Sequence, residues 1–463
     1  MLLFYIPAAL LILSSFAYWQ GREKAFALSY RAREGRNTKL HSRPTYYGLL
    51  TAFWCGIPGL LLYLFWLTAS DWILTGFVLR TLPTDMQNLS GDQLNLLLND
   101  LQNLVSGHVA AGVAPAMQAA ADFYHRLEFI SSVALALVIL TASIAAFVMV
   151  YGRIQPALRA RNHVERIIRY ALIGCSTLAI FCTVGIILSV LFESIRFFQH
   201  IPVFDFLFGL KWSPQMALRA DQAGSSGSFG AIPVMAGTFM ITAIAMFVAV
   251  PVGLLSAVYL SEYAGSTFRA VVKPLLEILA GIPTVVYGFF AALVVSPFIR
   301  QTGTLVGLDV SSESALAAGL VMGIMIIPFV SSLSDDVINA VPQALRDASY
   351  GLGATKNETV TQVVLPAALP GIVGGVLLAV SRAIGETMIV VMAAGLSARL
   401  TANPLEAVTT VTVQIVTLLV GDQEFDSPKT LAAFALGLLL FIVTLVLNVI
   451  ALHIVRKYRE EYE

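Results

Sequence analysis

Nine apolar stretches, each about 18–25 residues long, constrain the fold of this chain more than any other feature. A helix of that length crosses a bilayer, and lipid offers no water to satisfy the backbone of any less regular structure. Charged residues make up only 12% of the 463 residues, and the mean hydropathy is +0.80. The sequence therefore predicts an all-α integral membrane protein with nine transmembrane helices. The predicted spans lie near residues 2–19, 46–68, 129–151, 170–192, 233–260, 274–298, 314–331, 370–395 and 431–455.

Composition also excludes several classes of function. The formal net charge is zero, which argues against nucleic acid as a partner. The six histidines are scattered without metal-ligand spacing, and the three cysteines all lie in apolar runs, so we expect neither a metal site nor a cofactor. The phosphate-binding sequence G-x-x-x-x-G-K-[ST] does not occur. The sequence thus predicts that the chain is not itself an ATP-hydrolysing enzyme and that any ATP is hydrolysed by a separate subunit.

Basic residues between the spans predict the orientation of the chain. Segment 20–45 has seven basic and two acidic residues, and segment 152–169 has five arginines and one glutamate, so both are predicted to be cytoplasmic. The intervening stretch 69–128 has six acidic and two basic residues, which fits the opposite side. Nine spans then place the N-terminus in the periplasm and the C-terminus in the cytoplasm. Loop 332–369 is assigned to the cytoplasm by counting spans alone.

The chain divides into two blocks in this interpretation. Residues 1–165 form an N-terminal extension with three spans and an extracytoplasmic segment near 69–128. Residues 166–463 form a six-helix core, and the basic segment separates the two blocks. The sequence does not indicate what the extension does.

Two charges occur inside the predicted span 370–395. Arg382 lies at its midpoint, where a charge costs roughly 2.5–3.5 kcal/mol on insertion scales and requires a partner or an aqueous cavity. Glu386 would lie one turn further along the same helix face and neutralise it, and Thr387 adds a hydroxyl next to it. The functional interpretation is a site on an ion pathway. The alternative is a structural ion pair that locks two helices together.

The polar loop after the seventh span contains a second pattern. Asp347, Ala348 and Ser349 are followed by Gly353, and Leu365 and Pro366 come just before the next span. The glycines predict a bend after a short helix, and the proline predicts the end of a second short helix. Small residues at positions 348 and 349 allow another surface to approach closely. Taken alone, this is also the pattern of an ordinary connector.

The loop resembles the E-A-A-x-x-x-G-x9-I-x-L-P signature of the permease subunits of bacterial ABC importers, with Asp347, Ser349 and Val363 as conservative departures. In that family the loop forms a coupling helix that docks in a groove of the cytoplasmic ATPase. The resemblance therefore implies this role for Asp347, Ala348, Ser349, Gly353, Leu365 and Pro366.

Further motifs are similar to those of phosphate importers, and to the PstC type of permease subunit rather than the PstA type. The stretches 277–288, 326–328, 349–353 and 382–388 resemble the phosphate importer, whereas residues 206–209, 212–214 and the Glu-Thr-Met sequence at 386–388 resemble its PstC type of subunit. The resemblance covers roughly residues 170–455. It implies a PstA-like second permease subunit, a cytoplasmic ATPase dimer, a periplasmic phosphate-binding protein and a location in the bacterial inner membrane. It also implies that Arg382 and Glu386 act in transport, consistent with guanidinium binding an oxyanion through two parallel hydrogen bonds.

The predicted sixth span contains Pro283 flanked by Gly281 and Gly288, which should kink or loosen the helix. This kink is either a hinge or gate that lines the pathway or a simple packed bend. Glu277 is predicted to form an ion pair with Lys273 at the membrane boundary. Two alternative functions stay open from the sequence: an ABC importer permease for another oxyanion, and a self-contained secondary transporter.

Overall fold

The computed structural model describes residues 2–33, 40–80, 99, 101, 103–105, 115–214, 227–420 and 427–459. The chain forms two compact units, residues 1–181 and 182–463, and the division falls inside one long helix. The predicted boundary after residue 165 lies near the start of that helix and stays a prediction. Most of the polar part of the predicted extracytoplasmic segment, residues 81–98 and 106–114, lies outside the described residues.

The N-terminal unit contains three long helices and the first half of a fourth. Their bounds are α1 Leu2–Arg33, α2 Pro44–Leu79, α3 Pro115–Gly152 and α4 Ala160–His200. Helices α1 and α2 pack closely because Gly21 and Gly48 leave room for the facing side chains. The hydroxyl of Thr51 lies in this contact and donates a hydrogen bond of 2.8 Å to the carbonyl oxygen of Ala17.

The second unit contains a set of long helices interrupted by shorter ones. After α4 come α5 Val203–Phe208, the strand pair β1 Trp212–Ser213 and β2 Ser228–Phe229, α6 Ile232–Val258, α7 Ser266–Gly281, α8 Thr284–Phe290, α9 Ser296–Leu305, α10 Ala315–Ala340, α11 Gln343–Gly351, α12 Lys356–Thr359, α13 Leu365–Ile384, α14 Met388–Ala393, α15 Val411–Leu419 and α16 Pro428–Arg459. One-turn π-helical segments at Tyr259–Tyr263, Ala291–Val295 and Val360–Val364 continue α6, join α8 to α9 and join α12 to α13.

The core of the second unit forms where α6 packs against α10. Gly253, Gly319 and Gly323 lie at this contact, and a Cβ atom at any of them would come within 2.9 Å of the opposite helix. The close approach buries Ile241 and Met322 in an apolar cluster. Small residues serve this purpose in membranes, where lipid tails are as apolar as the helix faces and contact must come from close packing.

Eight helices in the described part of the chain are long and apolar enough to cross a membrane. They span Pro44–Leu79, Met117–Gly152, Ala160–His200, Ile232–Tyr263, Thr284–Leu305, Ala315–Ala340, Lys356–Ile384 and Pro428–Lys457. The prediction of an all-α membrane protein is confirmed, whereas the count of nine is not. Residues 2–19 lie in α1, which is helical but not among the eight. Two other predicted spans, 274–298 and 370–395, have different bounds because each contains a complete break in the helix.

Candidate functional site

The first of these breaks follows Arg382. Helix α13 ends at Ile384, residues 385–387 are not helical, and the short helix α14 begins at Met388. The prediction of one continuous helix over 370–395 is therefore wrong. The sequence does not show the interruption, because only Gly385, Glu386 and Thr387 separate the apolar residues before the break from the apolar run 388–394 after it.

The break lies beside the middle of α10. Antiparallel packing of α13 on α10 sets Gly371 against Val337 and brings Arg382 beside Phe329. Phe329 is eleven residues from the end of α10 at Ala340, which is about 16 Å along the helix at 1.5 Å per residue. Within a membrane, irregular backbone is tolerated where it is buried in protein or lines a water-filled cavity.

The guanidinium of Arg382 is exposed in the isolated chain and lies 5.5 Å from the ring centroid of Phe329. No carboxylate among the described residues lies within 4.0 Å of it, so the predicted ion pair with Glu386 is not formed. The geometric reason is that the helix ends at Ile384, so Glu386 is no longer one turn along the same face. Arg382 instead lies in the last turn of α13, where the negative end of the helix dipole stabilises a cation.

Glu386 interacts with the start of the next helix. Its carboxylate accepts hydrogen bonds from the backbone N–H groups of Met388 at 3.1 Å and Ile389 at 3.4 Å. The backbone carbonyl of Glu386 accepts a hydrogen bond of 2.9 Å from the hydroxyl of Thr412. The hydroxyl of Thr387 donates to the carbonyl of Gly385 at 3.4 Å. The non-helical segment 385–387 is therefore held on both sides, and the guanidinium beside it is left without a carboxylate partner in the described part of the chain.

The second break lies at Ile282 and Pro283. Helix α7 ends at Gly281, and both following residues have extended backbone angles before α8 begins. The predicted kink is thus a complete separation into two helices, because proline disfavours helical backbone at the residue before it. The hydroxyl of Tyr287 spans the break and donates a hydrogen bond of 2.8 Å to the carbonyl of Leu279.

The structure brings one of the predicted hinge residues, Gly288, to the segment that follows Arg382. A Cβ atom at Gly288 would lie 2.6 Å from the sulfur of Met392 and 3.1 Å from the carbonyl oxygen of Met388, both on α14. Gly281 differs, because nothing lies within 4 Å of the position of its missing Cβ. Gly288 is thus a contact glycine that lets α8 pack against α14. The roles of Gly281, Pro283 and Gly288 as a hinge or gate stay predictions.

The predicted coupling loop contains α11, which is fixed to the core by one buried arginine. Arg346 donates to the carboxylate of Glu262 at 2.8 and 3.3 Å, and their side chains are only 10% and 9% exposed. The same guanidinium donates to the carbonyl oxygens of Ile338 and Val341 at the end of α10. The carbonyl of Ile338 also accepts a hydrogen bond from the backbone N–H of Val341, so Arg346 adds a second partner there and supplies a partner to the carbonyl of Val341.

Sequence reasoning missed this arginine, because its partner Glu262 is 84 residues away in the chain. The only available signal was weak: Arg346 is one of just two basic residues in the loop.

The predicted signature residues around α11 have distinct structural roles. Asp347 and Ala348 are exposed on its outer surface, whereas Ser349 is buried and its hydroxyl lies 2.9 Å from that of Thr359. Gly353 has φ +86°, a left-handed conformation that side chains rarely adopt, and it ends the turn after α11. The bend was predicted, and its closing hydrogen bonds run from Gly353 to Tyr350 and from the next residue to Ser349.

Pro366 does not end a helix, so that part of the prediction is wrong. The candidate span Lys356–Ile384 runs through it without interruption, and Leu365 and Pro366 lie in the first turn of α13. Proline has no backbone N–H to donate. The preceding π-helical turn Val360–Val364 compensates with i→i+5 hydrogen bonds, so the helix continues through this position. The second short helix predicted for the loop is therefore the first part of a membrane span, and the non-helical segments of the loop are residues 341–342 and 352–355.

Helix α10 also carries a buried acid that two cations share. Asp335 is 5% exposed and lies 2.9 Å from a guanidinium nitrogen of Arg269 and 2.8 Å from the ammonium of Lys273, both on α7. The hydrogen bond to Asp335 raises the pKa of Lys273. The predicted pairing of Lys273 with Glu277 is wrong, since Glu277 is exposed and has no ion pair among the described residues. A cavity of about 200 Å³ lies beside this cluster and is bordered by Phe329.

These features define a class of protein: a multi-pass α-helical permease whose polar site lies at a broken helix and whose loop is fixed to the core by buried charges. Residues 249–460 match the family described as the binding-protein-dependent transport system inner membrane component. Residues 8–182 match a family described as phosphate ATP-binding cassette transporter. The chain belongs to the binding-protein-dependent transport system inner membrane component family, whose members are permease subunits of ABC importers.

Curated relatives agree with this assignment. The chain is 30% identical over 281 residues to a probable ABC transporter permease protein, YqgH, of Bacillus subtilis, covering 60% of this chain and 86% of that one. It is 32% identical over 275 residues to the phosphate transport system permease protein PstC of Xylella fastidiosa, covering 56% and 80%. A crystal structure of a bacterial ABC transporter involved in alginate import shares 16% identity over 64% of this chain and 99% of that chain, with a TM-score of 0.43. That score is too low to support a conclusion about this chain.

Proposed function

We propose that this chain is a permease subunit of an ATP-driven importer for inorganic phosphate. Together with a second, PstA-like permease subunit it forms the translocation pathway, fed by a periplasmic phosphate-binding protein and driven by a cytoplasmic ATPase dimer. The PstC-type relatives support phosphate as the substrate. The observation that carries the site is the exposed guanidinium of Arg382, which lies without a described carboxylate partner beside a break between two apolar helices.

The chemistry of Arg382 suits this role. An arginine inside the hydrocarbon region costs several kcal/mol if it faces lipid, so an aqueous pathway between subunits is its favourable environment. The guanidinium stays charged and can form two parallel hydrogen bonds to a phosphate oxyanion. Binding must also be weak enough for release. Glu386, four positions along the chain, supplies a nearby negative charge that opposes anion binding without forming a direct ion pair.

Helix α10 provides a physical connection between this site and the coupling loop. It carries Phe329 beside Arg382, and its last carbonyl groups accept hydrogen bonds from Arg346 on α11. Movement of the docked α11 would therefore displace the end of the helix that packs against the pathway arginine. Different affinities of the ATPase and the binding protein for two states of the permease supply the free energy of switching. In this arrangement the coupling loop and the C-terminus face the cytoplasm and the N-terminus faces the periplasm.

The test is phosphate uptake by the complete importer in phosphate-starved cells, with assembly of the complex measured in parallel. We expect Arg382→Ala to abolish most phosphate uptake while the complex still assembles. Arg382→Lys should retain only part of the uptake, because an ammonium cannot donate hydrogen bonds in the same planar geometry. Arg300→Ala is the matched control, because Arg300 is also exposed and has no ion pair in the described part of the chain. Uptake by Arg382→Ala equal to that of the control would refute the role.

Competition separates the substrate classes. Sulfate or tungstate that suppresses uptake of labelled phosphate as strongly as unlabelled phosphate does would indicate an importer for another oxyanion. Uptake that persists without the ATPase subunits would indicate a self-contained secondary transporter.

A further inference from the structure

A cavity in the N-terminal unit lies where three candidate spans reach the same membrane surface. We name it the elbow cleft. It has a volume of about 120 Å³ and lies beside the turn that joins the end of α3 to the start of α4, next to the first turns of α2. Its lining residues are Leu50, Trp54, Met149, Val150, Arg153, Leu158 and His163.

The turn that forms the cleft is held by tertiary hydrogen bonds. The buried hydroxyl of Tyr47 donates to the carbonyl of Leu158 at 2.9 Å. The backbone N–H of His41 donates to the carbonyl of Pro156 at 3.0 Å, and the N–H of Arg161 donates to a serine hydroxyl at 3.2 Å. The cleft is therefore a built feature of the fold.

One side of the elbow cleft is cationic. Arg153 directly follows the end of α3, His163 lies in the first turn of α4, and both are exposed. None of the described lining residues is acidic. Arg153 has no carboxylate within 4.0 Å in the described part of the chain, whereas the nearby Arg161 pairs with Glu165 at 2.6 Å. The guanidinium of Arg153 is therefore available to an anion.

The other side of the cleft is apolar and reaches into the membrane. Leu50 and Trp54 lie six and ten residues after the start of α2, about 9 and 15 Å along the helix. Trp54 and Met149 are 47% and 54% exposed, so the cleft opens sideways toward lipid. A ligand that fits both sides has an anionic head and a hydrocarbon tail.

We propose that the elbow cleft binds one anionic phospholipid, with its phosphate group at Arg153 and His163 and an acyl chain along Leu50, Trp54 and Met149. The surrounding segment 152–169 carries five arginines and one glutamate, which attracts acidic lipid headgroups. The positive-inside rule places the same segment at the cytoplasmic leaflet. This site gives the N-terminal extension a function of its own, independent of the transported ion.

Native mass spectrometry of the full-length protein, titrated with phosphatidylglycerol, tests the proposal. We expect one saturable lipid adduct that phosphatidylcholine does not reproduce. Loss of one cation near an acidic lipid weakens binding by about 1 kcal/mol, so Arg153→Ala should raise the Kd about fivefold. Arg153→Lys should keep most of the affinity. Acyl chains brominated near the headgroup should quench the fluorescence of Trp54, and Trp54→Phe should remove that quenching.

Arg159→Ala is the matched control, since Arg159 is exposed in the same turn but does not line the cleft. An equal loss of affinity in Arg159→Ala and Arg153→Ala would overturn the proposal in favour of diffuse surface attraction. Displacement of the lipid by an excess of inorganic phosphate would overturn it in favour of a free-anion site. Equal binding of phosphatidylcholine would show that the cleft does not select acidic lipids, which also refutes the proposal.

Discussion

Removing the guanidinium of Arg346 is the sharpest test of how the coupling loop is fixed to the core. Arg346→Ala leaves the carboxylate of Glu262, only 9% exposed, without its cation, and it removes one hydrogen bond from each of two carbonyl groups at the end of α10. Breaking a buried ion pair by removing one partner costs about 3–5 kcal/mol. If α11 opens as a local unit, this raises the fraction of time it is detached by roughly two to three and a half orders of magnitude.

Hydrogen exchange of the full-length protein measures this opening directly. We expect the amides of α11 to lose protection in Arg346→Ala, whereas those of the α6–α10 contact keep theirs. In the assembled importer, the same variant should hydrolyse ATP with less phosphate taken up per ATP. Glu262→Gln should have a smaller effect, because Arg346 then keeps its two carbonyl partners and a neutral amide oxygen.

Lys356→Ala provides the comparison for this prediction. Lys356 is an exposed cation in the same loop, and its ammonium lies 5.2 Å from the ring centroid of Tyr263. Such exposed contacts contribute about 0.5–1 kcal/mol. If the amides of α11 are as well protected from hydrogen exchange in Arg346→Ala as in Lys356→Ala, the buried ion pair does not fix the loop. That result would refute the reasoning.

Three further perturbations address the pathway and the core. Glu386→Gln keeps an oxygen that can cap α14 but removes the charge, so uptake should change far more than complex assembly; normal uptake would count against a role in transport. Gly288→Ala places a Cβ atom 2.6 Å from a methionine sulfur, so it should lower the free energy of unfolding by about 1–3 kcal/mol, as measured by thermal unfolding. Gly281→Ala should be tolerated, because the space around that position is open. Asp335→Asn leaves two cations without their buried acid. It should lower the free energy of unfolding by about 1–3 kcal/mol, a range that allows for the partial exposure of the two cations. Asp336 is 65% exposed, so Asp336→Asn should change this free energy by less than about 0.5 kcal/mol. Equal effects of the two aspartate variants would contradict the buried cluster.

The membrane class was predictable because hydrophobicity is a local property of the sequence. A run of about 20 apolar residues specifies a helix in lipid without reference to any other segment. The glycine bend at position 353 was predictable for a similar reason, since the left-handed conformation that ends α11 favours glycine. The importer family was recognised from the spacing of the loop residues 347–366, and the relatives confirm it.

The breaks in the helices were harder to predict. Pro283 and Pro366 both come just before or at the start of an apolar helix. Pro283 separates two helices, whereas Pro366 lies within a continuous span, in the first turn of α13. The difference is the π-helical turn before Pro366, which provides i→i+5 hydrogen bonds and makes the missing N–H harmless. No single-residue preference distinguishes these outcomes.

Sequence alone was enough to predict an all-α membrane protein, the position of the loop signature and a charge, Arg382, inside an apolar segment. Packing decided which partners the charges have: Arg346 binds Glu262, Lys273 binds Asp335 rather than Glu277, and Arg382 has no carboxylate within 4.0 Å among the described residues. The physical reason is range. Hydropathy and backbone preference act within a few residues, whereas the energy of a buried charge depends on groups that packing brings from 62 to 84 positions away in the chain.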